Sequence, residues 1–168
     1  PNPMEPRAAL GIYDSAEDHY TCYTTSQNPH VARLVMSAFY NVAPENKLRV
    51  IAPDVGGGFG GKLQVTPEEV ITFLAARRAG KPCKYTETRS ESLLAAHHGR
   101  DQWQHLTLAA DKDGKVTALK VDLLADMGAY LGLVTPGVPI LGAFMFNAIY
   151  KFPAYQFNCT NLFTNKTW

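Results

Sequence analysis

The sequence predicts an α+β fold, mixed sheets with packed helices, rather than a bundle, a sandwich or a regular alternation of strands and helices. Three observations predict it. Two segments carry apolar residues at helical spacing behind a recognisable start signal. Several others are short, rich in β-branched and aromatic residues, and bounded by turn residues. One strand pair is joined by a four-residue turn. Hydrophobic residues make up 46% of the chain and charged residues 18%, a globular balance that allows a packed core. The 168 residues suit one domain, and no internal repeat, low-complexity tract or linker divides them.

Ala8 to Tyr13 and His19 to Thr25 read as strands across the polar turn Asp14-Ser15-Ala16-Glu17-Asp18. A helix follows, with Asn28 as N-cap and Pro29 at its first position. Val31, Leu34, Val35, Ala38 and Phe39 form its apolar face, and Asn41 marks its end. Leu48 to Ala52 is a short strand leading into a glycine cluster. The second helix has the clearest start: Thr66 caps it, Pro67 opens it, and Glu69 can reach back to complete a capping box. Val70, Phe73, Leu74 and Arg77 follow at helical spacing, with Gly80 as the stop and Pro82 beyond. Lys84 to Thr88 reads as a strand. Trp103 to Ala109, the turn Asp111-Lys112-Asp113-Gly114, and Val116 to Leu124 form a hairpin, where Leu119, Val121 and Leu123 alternate with Lys120 and Asp122. Val138 to Tyr150 is expected to be a largely buried helix and Tyr155 to Phe163 to be extended.

Lys plus Arg number 16 and Asp plus Glu 15, so overall charge gives no footprint for nucleic acid; Arg77-Arg78 is only a pair. Cys22, Cys83 and Cys159 are far apart and form no C-x-x-C pair, which leaves zinc and iron–sulfur readings without support and favours reduced thiols in a cytoplasmic protein. Asn158-Cys159-Thr160 and Asn165-Lys166-Thr167 are then chance matches to a glycosylation pattern. The longest apolar stretch, Gly137 to Ala148, contains Pro139 and Asn147 and is too short for a bilayer, so no membrane span is expected. The opening Pro1-Asn2-Pro3-Met4-Glu5-Pro6 and the stop at Trp168 lead to the expectation of a fragment of a longer polypeptide. The histidines, including the adjacent His97-His98, lack ligand spacing, and structural or exposed roles are the expectation.

The informative segment is Asp54-Val55-Gly56-Gly57-Gly58-Phe59-Gly60-Gly61-Lys62. Its glycines allow positive φ and let a ligand approach the main chain, and successive N–H groups can converge on an anion. Phe59 is expected to pack beneath the loop and hold it in shape. A plain turn is the alternative, but it would not require so many entropically costly glycines. Lys62 is followed by Leu63, so the Walker pattern fails for want of Ser or Thr. Gly56, Gly58 and Gly61 satisfy G-x-G-x-x-G, yet the helix starts at Thr66 rather than within the motif.

Gly-Gly-Gly-Phe-Gly-Gly-Lys resembles the molybdopterin-contacting loop of the molybdenum hydroxylases, the family of xanthine dehydrogenase, aldehyde oxidase and aerobic carbon monoxide dehydrogenase. Pro3-Met4-Glu5-Pro6-Arg7, Thr24-Thr25-Ser26-Gln27-Asn28-Pro29-His30, Tyr150-Lys151-Phe152-Pro153 and Cys159-Thr160-Asn161 resemble further landmarks of that family, in order. The resemblance implies that residues 1–168 are part of the molybdopterin-binding domain of a large subunit, and that Gln27 is the catalytic residue whose amide bonds an oxo ligand of molybdenum. Helix capping is the alternative role, and Asn28 already fills the cap. The resemblance further implies that Gly57, Gly58, Phe59, Gly60 and Gly61 bind the cofactor, with no side chain ligating the metal directly. Main-chain groups of Phe59 and Gly60 would lie near the metal's ligands or the dithiolene end of the cofactor, Gly58 and Gly61 would shape the loop, and Lys62 would meet a phosphate or, by default, be solvated.

Members that hydroxylate purines carry a glutamate after Gly-Gly-Lys, where this chain has Leu63, and an arginine where it has Leu141. The two apolar residues argue against xanthine, and the missing glutamate with the stem Val55-Gly56-Gly57-Gly58-Phe59-Gly60 resembles the carbon monoxide dehydrogenase large chain and its relatives. The implied chemistry is oxidation of a small substrate (carbon monoxide-like, aldehyde or N-heterocycle) with water as oxygen source. The implied cofactor is molybdenum-molybdopterin, in its cytosine dinucleotide form. 2Fe-2S and FAD would sit on partner subunits or domains beside the remainder of the large subunit. The family's glutamate base would lie downstream, so Glu5, Glu45, Glu87 and Glu91 read as ordinary strand or loop residues. A nucleotide-binding oxidoreductase using the Gly56–Gly61 loop for pyrophosphate, with Glu87 as its acidic partner, and a non-catalytic scaffold segment are the rival readings.

Overall fold

A computed structural model of the chain describes residues 1–97 and 99–167; the sequence readings of His98 and Trp168 lie outside them. The chain divides into two compact units, Pro1–Ala96 and His97–Trp168. Each contains a mixed sheet, in agreement with the α+β expectation.

In the first unit, β1 (Ala8–Asp14), β2 (His19–Thr24), β3 (Leu48–Ile51) and β4 (Cys83–Thr86) form one sheet in the order β3-β2-β1-β4. β1 runs antiparallel to β2 and β4, while β2 and β3 are parallel. A parallel pair needs a crossover, which helix α1 (Pro29–Ala38) supplies. Helix α2 (Pro67–Ala79) follows the glycine loop, and its tightest approach is to β1. There a Cβ on Gly11 would lie 2.6 Å from the backbone of Thr72, so only glycine admits the helix. The core comprises Ala9, Tyr20, Cys22, Ala32, Met36, Leu48, Val65 and Phe73.

Both predicted helices form and bury part of the expected faces, with Phe73 fully buried and Val35 and Val70 packed against the core, while other expected positions are exposed. On α1 the buried residues are Ala32 and Met36, while Leu34 and Phe39 are exposed. On α2 they are Glu69, Thr72, Phe73 and Ala76, and Leu74 is exposed. The backbone of Thr72 and Phe73 is what lies against Gly11, which brings this side of α2 onto β1. The start of α2 matches expectation, with Glu69 Oε2 accepting from the Thr66 amide at 2.7 Å, and Gly80 ends it at φ +63°. Asn28 occupies the cap of α1 but makes no side-chain capping bond, and its Oδ1 is buried without a partner among the described residues. A third helix, α3 (Arg89–Ala95), lies where no helix was expected. Its signal was Thr88-x-x-Glu91, a second capping box, in which the Thr88 amide donates to Glu91 at 2.7 Å. Glu45 opens a 3-10 turn, Glu45–Lys47, and pairs with Arg33. Glu45 and Glu91 are therefore helical rather than strand or loop residues.

In the second unit, β5 (Gln102–Ala110) and β6 (Val116–Asp126) make the expected hairpin, and β7 (Ala154–Leu162) lies parallel to β6. Asp111 Oδ1 accepts from the amides of Asp113 and Lys115, and Gly114 turns the chain at φ +81°. The long buried helix expected from Val138 to Tyr150 is not formed. Helix α4 covers only Gly137–Gly142, and tight turns carry the chain on, with Phe144, Met145 and Ile149 exposed. Gly137, Pro139, Gly142 and the positive φ of Ala148 account for the interruption.

Candidate functional site at the glycine loop

The glycine loop leaves β3 and reaches α2 through a bend whose main-chain groups divide into two sets. One set is paired within the protein. Gly56 N–H donates to Glu5 Oε2 at 2.8 Å, Gly60 N–H and Lys62 N–H donate to Gln27 Oε1 at 2.9 and 3.1 Å, and Gly61 N–H donates to Gly58 O at 2.8 Å. The other set is the consecutive amides of Gly57, Gly58 and Phe59, which meet no acceptor among the described residues. Gly57, Phe59 and Gly60 have φ of +92°, +53° and +88°. At Phe59 that conformation is strained for a residue with a side chain. Phe59 is 70% exposed, so its ring does not pack beneath the loop as expected; it folds back over Gly57 instead.

Gln27 follows β2 and lies directly against the loop. A Cβ on Gly58 would come within 2.3 Å of the Gln27 amide, so this glycine is required for the contact. The two backbone donors fix which way the amide points, because only its oxygen can accept them. Its NH₂ is left without a partner among the described residues. The Gln27 N–H also donates to Lys62 O at 3.0 Å. Gln27 and the loop, 29 positions apart at their nearest glycine (Gly56 minus Gln27), are thus brought together as the family resemblance implied.

Lys62 departs from expectation. Its side chain is 2% exposed and its ammonium donates to Glu5 Oε2 at 2.9 Å, so it is neither solvated nor turned toward a ligand. Burial works to raise the Glu5 carboxyl, but the bonds from Lys62 and the Gly56 amide, with the lysine's charge, outweigh it and hold the group below the ordinary carboxylate range. Beneath the site, Thr24 Oγ1 donates to buried Glu69 at 2.5 Å, and burial pushes the Glu69 carboxyl up despite the bonds it accepts from Thr24 and Thr66. The cavity bounded by Arg7, Thr24, Ser26, Lys62 and Glu69 has a volume of about 10 Å³, room for a water at most. A ligand of the loop must therefore lie on its open side, where a Cβ on Gly60 would meet nothing within 4 Å.

Sequence reasoning missed the supports of this site. Arg7 Nε and Nη2 both donate to Glu87 Oε1, at 3.0 and 2.6 Å, and the Glu87 side chain is fully buried. Burial works to raise Glu87, and the Arg7 hydrogen bonds and charge override it, holding the carboxyl low. A ribose could not reach this carboxylate, and α2 begins at Pro67, beyond the glycines. Both features weigh against the pyrophosphate reading. Arg89 Nη2 donates to the carbonyls of Pro3 and Met4 at 2.6 and 2.8 Å, and Nη1 bonds Asn2 Oδ1. Cys22, buried in the core, has its thiol pushed up to about 12 by burial and then by the charge of Glu69, which suits a packing role. Among the described residues no group of three or more His, Cys, Asp or Glu side chains converges as a metal site.

Three neighbouring unpaired amides, a neutral NH₂ beside them and the open approach at Gly60 suit a large anionic ligand with an oxygen-bearing centre, and the donors present fit a molybdopterin. Comparison with known proteins leads to the same family. A sequence model of the molybdopterin cofactor-binding domain matches residues 1–168, and the chain belongs to that family. It is 35% identical to the carbon monoxide dehydrogenase large chain of Hydrogenophaga pseudoflava over 167 residues, covering 99% of this chain and 21% of that one. It is 38% identical to the nicotine 6-hydroxylase large subunit of Paenarthrobacter nicotinovorans over 128 residues, covering 76% of this chain and 16% of that one. Among solved structures, quinoline 2-oxidoreductase from Pseudomonas putida 86 superposes with a TM-score of 0.90 at 35% identity, covering 98% of this chain and 21% of that one. The chain thus spans about a fifth of the length of these relatives. No helix among the described residues is long and apolar enough to cross a membrane.

Proposed function

We propose that this chain is the cofactor-seating part of the large subunit of a molybdenum hydroxylase. The observation that carries the reading is the run of unpaired amides at Gly57, Gly58 and Phe59 beside the unpartnered NH₂ of Gln27. The three amides would hold the anionic dithiolene end of the cofactor, Gly60 would keep its approach clear of side chains while Gly61 packs back against Gly58 and Pro1, and the Gln27 NH₂ would serve as a donor to the metal's oxygen ligand. Gln27 thus acts at both ends of its amide, the carbonyl fixing the loop while the NH₂ faces the ligand. The bound molybdenum centre supplies two-electron oxidation with oxygen taken from water. The cofactor is the cytosine dinucleotide form, by likeness to bacterial relatives. The remainder of the subunit completes the pocket, and 2Fe-2S and FAD on partner subunits or domains carry electrons away. Leu63 and Leu141, in place of polar residues, favour a small or weakly polar substrate such as carbon monoxide, an aldehyde or an N-heterocycle over a purine.

The decisive measurements are made on the full-length enzyme. Gly60→Val places a branched side chain on the open face and strains the backbone at φ +88°, and molybdenum per subunit is expected to fall roughly tenfold or more, with circular dichroism and thermal unfolding checking that the fold is kept. Gln27→Leu removes both halves of the amide, whereas Gln27→Glu keeps an acceptor for Gly60 and Lys62 and replaces the donor with a negatively charged oxygen. Turnover is expected to fall by about 10- to 100-fold in Gln27→Glu, with cofactor content less affected than in Gln27→Leu. Unchanged molybdenum content in Gly60→Val would remove the basis of the reading.

A further inference from the structure

The buried lysine beside the loop is not explained by the cradle alone. A cation next to an anion site ordinarily faces its ligand, but Lys62 faces away from the open side and is spent on Glu5. We propose that Glu5 is a positioning residue for the cradle: one of its carboxylate oxygens ties both feet of the glycine bend and turns the Lys62 charge inward, so that the bend meets its ligand with neutral donors. This rests on the cradle reading above and adds the means by which its shape is set.

The connections run from residue to residue. Glu5 Oε2 accepts from Gly56 N–H and from Lys62 Nζ, which closes the bend at its two ends. The Glu5 N–H donates in turn to Gly56 O at 3.2 Å, so the first foot is held twice. A Cβ on Gly56 would lie 2.6 Å from the Glu5 Cβ, so glycine is needed there for packing against Glu5 rather than for φ. The second foot is coupled to Gln27 through Lys62 N–H to Oε1 and Gln27 N–H to Lys62 O. Glu5 is held from both sides: Arg89 grips the Pro3 and Met4 carbonyls before it, and Arg7 grips Glu87 after it. A displacement of Glu5 therefore reaches Gln27 through Lys62, and reaches the free amides through Gly56. Leaving the Lys62 ammonium buried without its partner is the costly step.

Glu5→Gln, Lys62→Met and the double variant, each in the full-length enzyme, test this, with Gly60→Val in the same series. Gln at position 5 can still accept from Gly56 and Lys62 through its one oxygen, so Glu5→Gln removes the countercharge to the buried ammonium and turns the second oxygen into a donor. The expected result is a roughly tenfold loss of cofactor affinity in Glu5→Gln, read as molybdenum per subunit. The centres that remain should give an altered electron paramagnetic resonance signal on reduction. Both readouts should recover in the double variant, where no ammonium is left unpaired, and Lys62→Met should be milder than Glu5→Gln. Wild-type content and signal in Glu5→Gln overturn the proposal. So does a double variant no better than Glu5→Gln, and this comparison decides the matter even if Glu5→Gln alone gives little folded protein. If Gly60→Val loses molybdenum while Glu5→Gln does not, the cradle stands and the lock fails; if Gly60→Val keeps it, the cradle reading itself fails.

Discussion

Phe73 in the first unit and Val121 in the second are both fully buried, yet they are buried in different ways. Phe73 is a helix residue pressed onto a sheet, edge-on to Tyr20 at 5.7 Å, within a core drawn from strands, helices and loop. Val121 lies on the middle strand of three, and its cross-strand neighbour Leu106 is 51% exposed. On that face β7 has partial cover, with Phe157 against Phe146 and Tyr155 donating to Ala143 O, whereas nearly every residue of β5 is exposed. The first unit closes its own core and carries the candidate site on that closed frame. The second leaves an apolar edge uncovered by its own described residues. Precise placement of backbone donors needs the rigidity of the first arrangement, and nothing identified in the second unit makes that demand.

The largest expected effect that sharpens this contrast is Phe73→Ala. Removing a fully buried ring from the first core should cost about 4 kcal/mol in denaturant unfolding of the chain. A loss below about 1 kcal/mol would mean that the first core is no tighter than the second.

Next is the Arg7–Glu87 pair. Arg7→Met leaves a carboxylate without its partner in a fully buried position, and should cost roughly 3 kcal/mol at neutral pH. The pair also fixes a pH dependence. The folded pKa of Glu87 is depressed, so its contribution is complete above the unfolded value of about 4.5 and is lost as pH falls through the lower folded value. Glu5 has the same sign. Glu69 is raised, so its contribution is present below the unfolded value and declines as pH rises through the folded one. Acid titration of stability should therefore show a loss below pH 4.5 that Arg7→Met diminishes. A curve unchanged by that substitution would detach Glu87 from the acid response.

Much of the first unit was legible because its signals are local. Thr66-Pro67-x-Glu69 announces a helix from adjacent residues, and Gly80 stops it. The density of glycines from Gly56 marked the loop, and its resemblance to a known family brought Gln27 to it. The rest was not legible because it depends on partners distant in sequence. Glu5 meets Lys62 57 positions away and Arg7 meets Glu87 80 positions away, and no periodicity encodes either pairing. The buried faces of both helices were only partly legible for a related reason. Phe73, Val35 and Val70 pack as expected, but apolar spacing reports which residues can be covered, whereas the approach of a neighbouring strand, as of Gly11 to α2, decides which ones are. In the second unit the hairpin turn was readable from Asp111 and Gly114. The helix after it was not, because an apolar run does not reveal on its own whether anything packs over it.

The smallest expected effect tests the open edge. Leu106 is half exposed on β5, directly opposite Val121, so Leu106→Ala removes few contacts within this chain and should change its stability by less than about 1 kcal/mol. The chain covers about a fifth of its relatives' length, and the same substitution in a full-length subunit is a separate measurement. If more of the polypeptide covers the β5 edge there, the cost should rise to about 3 kcal/mol, as is typical of a buried Leu→Ala change. The contrast between the two units would then belong to the isolated chain and vanish in the assembled protein. If the cost stays small in both settings, the edge is a true surface of the subunit and the contrast is built into the fold. Hydrogen exchange of the β5 amides in the two settings separates these outcomes, since a covered edge slows exchange along the whole strand while a free one leaves its outward amides fast.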